Sequence, residues 1–453
     1  MESVAHVIKT VADVMWGWPM IILLLGTHVF LTIRLKFPQR KIFTGIKLSV
    51  TKDVGSSGDV SQFGALATAL AATIGTGNIV GVATAVALGG PGAVFWCWIT
   101  GVFGIATKYG EGLLAIKYRV KTADGTMLGG PMYALEKGLK MKWMAVLFCI
   151  FAAIAAFGIG NTVQANSMSM IVYETFGISP HLTGILTAVA TAMVVIFGVK
   201  GIANVCGILV PFMAFFYVIG CIIILWFNAP FLGETFRLIM TSAFSAKAAG
   251  GGFVGGAILM ALRFGVARGL FSNESGLGSA PIVAAAAQTR NSVRQALVSS
   301  TGTFWDTVVV CALTGFVVVS SVLAFPDIDP TKGAALTKEA FTKIPYIGSW
   351  VLTVGLFTFA FSTILGWSYY AEKAIEYLGG KKTIVYYRIL WVIAVYVGSV
   401  LNLGLVWNIA DGMNALMAIP NLIALLLLSG VIAKETNKYL WNNRLDDFDP
   451  ELS

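Results

Sequence analysis

Two polar, glycine-rich segments interrupt long apolar stretches of the sequence, and their residue types could bind a cation or a small polar ligand. The first segment, Thr73 to Gly81, contains Thr76, Gly77 and Asn78. The second, residues 268–281, contains three glycines, three serines, an asparagine and a glutamate. Glycine costs about 1 kcal/mol in a helix interior, and Ser, Thr and Asn compete for backbone hydrogen bonds. Both segments therefore favour unwound backbone that lines a polar cavity.

Other interpretations of the first segment are possible. Gly77 and Gly81 are four residues apart, which is also the spacing of a close-packing surface between membrane helices. For this segment alone, the packing and the site interpretations are equally good. A dinucleotide-binding loop is excluded, because after Gly75 and Gly77 the next glycine comes one residue too late and no strand precedes the segment.

The composition excludes a soluble protein. Of the 453 residues, 57% are apolar and only 12% are charged, whereas soluble domains have about 25% charged residues. The five cysteines are isolated and the three histidines are scattered, so the sequence predicts neither a disulfide framework, a metal centre nor an enzyme. Membrane lipid is the expected solvent for most of the chain.

The apolar runs predict an all-α polytopic membrane protein with eleven transmembrane helices. The second and third spans share an uncharged stretch, 60–107, and a Gly-Gly-Pro-Gly turn at 89–92 separates them. The other predicted spans are residues 14–33, 143–175, 180–199, 201–228, 253–288, 295–325, 346–371, 386–403 and 405–433.

The loop charges predict the orientation. Lys and Arg are concentrated at 34–52, 117–142, 373–388 and 434–444, and all four regions face one side if the count of eleven is right. Because basic loops stay cytosolic, the N-terminus is expected outside the cell membrane and the C-terminus in the cytosol. The formal charge of +9 follows from this topology and does not indicate nucleic acid. Residues 34–52 could form an amphipathic helix on the inner leaflet or a solvated loop.

The two broken spans are the second and the seventh, and each opens a block of five. Because five crossings is an odd number, the second block is inverted relative to the first. Broken helices at matching places in inverted halves indicate a transporter site near the membrane midplane. The predicted regions are an extra N-terminal span with a basic loop (1–60), the first repeat (61–228), an extracellular connection (229–252), the second repeat (253–433) and a cytosolic tail (434–453).

Both polar segments resemble the signatures of a known family. Thr-Gly-Asn-Ile-Val-Gly-Val-Ala at 76–83 and Ser-Asn-Glu-Ser-Gly-Leu-Gly-Ser-Ala-Pro at 272–281 resemble those of the alanine or glycine:cation symporters, the sodium:alanine symporter family. This family belongs to the amino acid–polyamine–organocation superfamily and is similar in architecture to the LeuT-type fold, a 5+5 inverted repeat. The resemblance implies Na⁺-coupled uptake of alanine and glycine, with D-alanine as a further candidate substrate.

The resemblance implies where a zwitterionic substrate binds. The backbone amides of Thr76 and Gly77 would hold the carboxylate at a half-helix N-terminus. The carbonyls of Phe271, Ser272 and Asn273 would accept hydrogen bonds from the ammonium group.

Two further side chains are candidate substrate contacts. Gln164 is either a ligand contact or a polar link between helices. Trp367 either caps the pocket, leaving room for a methyl group, or is a packing residue.

Analogy with the LeuT-type fold also implies a sodium site between the first broken span and the ninth span. The carbonyls of Ala71 and Ile74 and the hydroxyls of Ser362 and Thr363 would bind Na⁺. The alternative is that both hydroxyls bond back to their own helix. A second ion could use Thr73 and Asn78 together with the substrate carboxylate.

Intramembrane charges are functional candidates by default. Arg263 and Arg268 could pair with Glu274 as a gate, or the three could neutralise one another as structure. Four other charges, Lys108, Glu111, Asp306 and Asp411, are expected near the ends of spans, where charges are tolerated.

Three rival functions stay open. An amino acid exchanger and an H⁺-coupled symporter would use the same broken helices. An ion channel is the rival from another class, although no selectivity-filter motif is present in the sequence.

Overall fold

The chain is almost entirely helical. The computed structural model describes residues 16–244, 258–333, 335–401 and 404–451. Within these residues, six helices are long and apolar enough to cross a membrane, or eight if each of two bent helix pairs counts as one span. The helices are α1 (Trp18–Arg34), α2 (Ile42–Ser49), α3 (Gln62–Thr73), α4 (Val82–Gly89), α5 (Gly92–Lys117), α6 (Pro131–Tyr133), α7 (Lys142–Ala155), α8 (Val163–Phe176), α9 (Pro180–Val195), α10 (Gly198–Phe227), α11 (Leu232–Phe244), α12 (Ile258–Asn273), α13 (Pro281–Ala284), α14 (Ser292–Thr303), α15 (Ala312–Ala324), α16 (Ala335–Thr342), α17 (Ile347–Gly379), α18 (Thr383–Val400), α19 (Gly404–Leu427) and α20 (Ser429–Thr436).

Short elements link these helices. One π-helical segment joins α7 to α8 and another joins α14 to α15, so each pair forms one long helix. The strands β1 (Val120–Lys121) and β2 (Met127–Leu128) pair antiparallel after α5. The two joining segments are Ala156–Thr162 and Phe304–Cys311, and the remaining 3₁₀ and π-helical segments are Pro38–Lys41, Gly77–Gly81, Ala134–Gly138, Ala229–Phe231 and Asn437–Trp441.

Every predicted apolar run overlaps a helix, although only six to eight of the described helices pass as spans by length and composition. The count of eleven therefore stays a prediction. The predicted connection at 229–252 is in part helical, because α11 occupies 232–244 and packs against α5. Residues 14 and 15 of the first run, the end of that connection and the first residues of the next run lie outside the described residues.

The first broken helix is confirmed. Ser61 caps α3 by accepting a hydrogen bond from the amide of Gly64 at 3.0 Å. After α3, Ile74 adopts an extended conformation, with φ −76° and ψ 94°. The chain resumes at Gly77 as a π-helical turn that leads into α4, and the two parts are bent by 53°.

The second broken helix is also confirmed. Its first part, α12, ends at Asn273, and the next residue, Glu274, has φ +53°. Gly276 and Gly278 have φ +91° and +87°, a left-handed conformation that glycine adopts without steric cost. The chain becomes helical again only in the short α13.

Helix α5 packs against both broken helices and against α14, the start of the long helix that follows the second break. Its most extensive contacts are with α12 and α14. Small residues permit this approach: a Cβ at Gly265 of α12 would lie 2.3 Å from the carbonyl oxygen of Ala93, and one at Gly112 of α5 would lie 2.9 Å from the side chain of Ser299. The glycines thus set the distances between these helices.

The basic segment at 34–52 contains a 3₁₀ turn and helix α2, which favours the helical interpretation of this region. Gly45 faces α14, since a Cβ there would lie 2.5 Å from the carbonyl oxygen of Leu297. Phe43 on the same helix is 76% exposed. Helix α2 therefore packs on the protein along one side and presents an apolar side chain on another.

Gly265→Ala should destabilise the packing of α12 on α5, because the added methyl group meets backbone atoms of Ala93. Overpacking of this kind costs about 1–3 kcal/mol, so the thermal unfolding midpoint of the purified protein in detergent should fall. Gly233→Ala on α11 is the control, since among the described residues no atom outside the adjoining turn of its own helix lies within 4 Å of the added methyl group. Equal midpoints for the two variants would contradict the proposed packing.

Candidate functional site

The first break meets α17 through two hydroxyl groups. Ser362 Oγ lies 3.2 Å from the carbonyl oxygen of Ala71, and Thr363 Oγ1 lies 3.3 Å from that of Ile74. Either hydroxyl can instead donate to the carbonyl of Phe359, 2.9 Å away within α17. The four residues across this junction are buried. The structure therefore brings together the four residues predicted for the principal sodium site.

The chemistry of this junction suits a hard cation. Two carbonyl oxygens and two hydroxyl oxygens meet there in two neighbouring pairs, with no nitrogen or sulfur in either pair. A hydroxyl group can donate its proton elsewhere and direct its lone pairs at a cation. The carbonyls of Ala71 and Ile74 lie at the end of α3, where helix carbonyls lack intrahelical donors and the helix dipole favours positive charge.

Asn78 lies at a second junction, where Asp306 connects the two broken helices. Asn78 Nδ2 donates to Asp306 Oδ1 at 2.7 Å, and Ser272 Oγ donates to Asp306 Oδ2 at 3.0 Å. The other end of the Asn78 amide accepts from the backbone amide of Gly75 at 2.9 Å. Asp306 is fully buried, so this carboxylate fixes one residue of each broken helix.

Thr73 is placed differently from the prediction. Its hydroxyl donates to the carbonyl of Ala69, 3.1 Å away in its own helix. It lines a cavity beside Lys108, whereas Asn78 faces Asp306. The structure does not join Thr73 and Asn78 in one set of hydrogen bonds.

The predicted carboxylate site lies against α8 and α12. The backbone amide of Thr76 points to Gln164 Oε1 at 3.4 Å, and Gln164 Nε2 donates to the carbonyl of Ile159 at 2.9 Å. A Cβ at Gly77 would lie 3.3 Å from the ring of Phe271. Thr76, Gly77, Gln164 and Phe271 therefore surround one region beside the first break.

The predicted ammonium acceptors form the end of α12. Phe271, Ser272 and Asn273 are its last three residues, and the last carbonyls of a helix have no intrahelical donor. The amides that follow bond to side chains instead of to these carbonyls: that of Ser275 to Asn273 Oδ1 at 2.9 Å, and those of Gly276 and Gly278 to Glu111.

Trp367 is held from two sides. Its indole Nε1 donates to Glu274 Oε1 at 3.0 Å, and the other oxygen of Glu274 accepts from Ser279. A Cβ at Gly160 would lie 2.3 Å from Cβ of Trp367, so only glycine permits this position of the indole. The ring is 1% exposed and packs edge to face against Tyr370. Trp367 thus has a fixed place between the second break and α7–α8.

The expectation that Asp306 lies near a span end is wrong, and Lys108 and Glu111, whose position relative to a span end stays a prediction, lie inside the protein. All three are buried, and α5 continues for nine residues past Lys108. The predicted apolar run was defined as a stretch without charged residues, so it ended just before Lys108. That limit does not show where the helix ends. Asp306 lies inside the long helix formed by α14 and α15.

Glu111 has a specific role that the sequence interpretation missed. Its Oε1 accepts from the backbone amides of Gly276 and Gly278 at 3.1 and 3.0 Å and from Asn421 Nδ2 at 2.7 Å. These bonds supply partners for unwound backbone in the second break. The default rule that an intramembrane carboxylate is functional would have selected Glu111.

The proposed pairing of Arg263 and Arg268 with Glu274 is not what the structure describes. The guanidinium groups lie over the rings of Phe264 and Phe271, at 5.5 and 5.9 Å from the ring centroids. Glu274 instead bonds to Trp367 and Ser279. Both arginine side chains thus lie against aromatic rings of their own helix, α12, whereas Glu274 is buried.

Comparison with known proteins decides the family. The sequence profile described as the sodium:alanine symporter family matches residues 1–452. The chain belongs to this family. It is a multi-pass membrane transporter and not an enzyme.

Individual relatives agree with this assignment. The sodium/alanine symporter AgcS of Methanococcus maripaludis is 52% identical over 440 residues, which cover 95% of this chain and 96% of that protein. The probable sodium/glutamine symporter GlnT of Bacillus subtilis is 35% identical over 445 residues, which cover 97% of this chain and 91% of that protein. The names of these two relatives within one family thus refer to different amino acids, alanine and glutamine.

A solved structure shows the fold. The crystal structure of MhsT in complex with L-phenylalanine matches with a TM-score of 0.59 at 16% identity, covering 88% of this chain and 96% of that chain. The expected likeness to LeuT-type transporters is confirmed at the level of the overall fold.

The bond between Glu274 and Trp367 can be tested with a double-mutant cycle. Glu274→Ala removes the acceptor, and Trp367→Phe removes the donor but keeps an aromatic ring. If the two residues hold each other, the drop in thermal midpoint caused by Glu274→Ala should shrink by at least about half in the Trp367→Phe background. Glu274→Gln retains an acceptor oxygen and should stay close to wild type, whereas strictly additive shifts would rule out the coupling.

Proposed function

We propose that the protein is a Na⁺-coupled symporter of small neutral amino acids, with alanine and glycine as substrates, that works by alternating access. The observation that carries this proposal is the junction of the first break with α17, where Ser362 and Thr363 meet the carbonyls of Ala71 and Ile74. Membership of the sodium:alanine symporter family supports sodium as the co-transported ion.

The proposed topology has eleven spans. An extra N-terminal helix precedes two inverted five-helix repeats at 61–228 and 253–433, with the N-terminus outside and the C-terminus in the cytosol. Breaks in the first helix of each repeat support this arrangement. The halves of the broken helices are then the parts that open to one side of the membrane at a time.

The substrate site lies between the breaks in this proposal. The amides of Thr76 and Gly77 bind the carboxylate, and Gln164, which lies beside the Thr76 amide, is a further ligand contact. The carbonyls at the end of α12 accept hydrogen bonds from the ammonium group. Trp367, held by Glu274 and Gly160, leaves room for a side chain no larger than a methyl group, which favours glycine and both enantiomers of alanine.

The proposed second ion needs a different ligand set from the predicted one. Asn78 contacts Asp306, whereas Thr73 bonds within its own helix. We therefore keep Asn78 as a candidate ligand and expect the Ser362–Thr363 junction to dominate the Na⁺ dependence.

Transport of radiolabelled alanine into proteoliposomes tests the function. An inward Na⁺ gradient should drive saturable uptake, and an inward H⁺ gradient without Na⁺ should not. Uptake driven by H⁺ alone would support the proton-coupled alternative, and exchange without net Na⁺-driven uptake would support an exchanger. Non-saturable flux would indicate a channel, while the absence of both uptake and exchange would contradict the proposal.

The ion site has its own test. Thr363→Ala removes one of four oxygen ligands and should raise the Na⁺ concentration for half-maximal alanine uptake by about tenfold. Asn78→Ala should also weaken the Na⁺ dependence. Thr358→Ala is the matched control, because the Thr358 hydroxyl bonds only within α17, to the carbonyls of Val354 and Gly355. If Thr363→Ala and Asn78→Ala both keep the wild-type Na⁺ dependence, the assigned ligands are wrong.

A further inference from the structure

Lys108 is a buried cation that takes part in neither the proposed ion site nor the proposed substrate site. Its side chain lies within α5 and the residue is 3% exposed. Among the described residues its Nζ has no hydrogen-bond partner, and no carboxylate lies close enough to form an ion pair with it. Three buried carboxyl groups lie within electrostatic range of it, but burying an ammonium group without a hydrogen-bond acceptor is still unfavourable. The position therefore points to a partner that arrives during the transport cycle.

The Lys108 side chain lines a small cavity whose walls are mostly apolar, with a few polar side chains among them. Thr73, Gln295 and Ser299 contribute the other polar side chains. Gln295 Nε2 donates to Ser299 Oγ at 3.2 Å, but Gln295 Oε1 has no partner among the described residues. The cavity thus offers one unpartnered cation and one unpartnered carbonyl oxygen. In this conformation it has room for about one water molecule.

The location of the cavity connects it to both broken helices. Thr73 is the last residue of α3 and precedes the proposed carboxylate site at Thr76 by three residues. Ala280 and Pro281, at the start of α13, form another wall. In the proposed orientation α3 and α13 are the cytosolic parts of the two broken helices. Separation of these two helices would widen the cavity and join the proposed substrate site to the cytosol.

We propose that this cavity becomes a release-side subsite for the transported amino acid. Lys108 Nζ binds the α-carboxylate after it leaves Thr76 and Gly77, and Gln295 Oε1 accepts a hydrogen bond from the α-ammonium group. The inference rests on the proposed function and orientation. It adds a second binding position, on the cytosolic side, for the same zwitterion.

The charges around Lys108 favour a zwitterion over a free anion. The buried carboxylates of Glu111, Glu274 and Asp306 lie within electrostatic range of the Lys108 ammonium. Each of them that is ionised repels a free anion that approaches Lys108. A zwitterionic amino acid carries its own ammonium group and is not excluded in this way. Chloride has the same charge as a carboxylate and is therefore the competing ligand that the experiment must separate.

The test compares alanine transport from the two faces of the membrane. Initial rates are measured in right-side-out and inside-out membrane vesicles, each with an inward Na⁺ gradient. Lys108→Met should raise the KM at the cytosolic face by about tenfold, as expected for the loss of one charge-assisted hydrogen bond. The KM at the external face should stay within about twofold. Lys108→Arg should restore most of the cytosolic-face affinity, because it retains the positive charge.

Further variants control for structure and charge. Gln295→Leu should raise the KM for alanine at the cytosolic face alone. If Lys108→Met does not reach the membrane, Gln295→Leu is used as the test variant in its place. Lys121→Met removes an exposed positive charge from β1 and should change neither face. All measurements are repeated with gluconate in place of chloride.

The outcomes separate the inference from the proposed function. An equal change at both faces, or no change at either, would overturn the release-side subsite. Chloride-dependent wild-type transport that becomes chloride-independent in Lys108→Met would assign the cavity to chloride instead. If the wild-type protein shows no Na⁺-dependent alanine transport at either face, the proposed function itself fails.

Discussion

The hydrogen-bond demand of unwound backbone in an apolar surrounding is the constraint on which this structure depends. Hydrocarbon offers no donors or acceptors, so every free backbone group in the two breaks needs a partner from the protein. Glu111 serves the amides of Gly276 and Gly278, and the side chain of Asn78 serves that of Gly75. Each polar side chain that reaches into a break therefore has a structural reason to be buried, and each carbonyl left over is available to a ligand.

Helix α17 connects the two breaks along one face. Thr363 contacts the carbonyl of Ile74 in the first break, and Trp367, one turn later, bonds to Glu274 in the second. A cation that changes the first contact thus acts on the same helix that holds the wall of the proposed substrate pocket. In the proposed symport, this gives ion binding and substrate binding a common structural element through which each can stabilise the other.

Glycine serves two separate purposes in this protein, and the local geometry distinguishes them. Gly265 has an ordinary helical conformation and brings α12 against α5. Gly276 and Gly278 have positive φ values and shape the second break. Their amides point to Glu111 rather than continuing a helix. The large glycine content reflects membrane packing for the most part, while a few positions build the site.

The sequence by itself determined the membrane environment, the position of both breaks and, through the family resemblance, the residues at the junction with α17. Composition and local spacing are sufficient for these features because apolar length and glycine content act within one segment. Only the tertiary structure decided that Asp306 links Asn78 to Ser272 and that Glu111 holds the second break. The reason is physical: whether an intramembrane charge is buried, and which group it meets, depends on neighbours 34 to 228 residues away in the chain. A charge count along one helix contains no information about those neighbours. From the sequence we therefore expected these carboxylates at span ends, whereas the folded protein buries both of them.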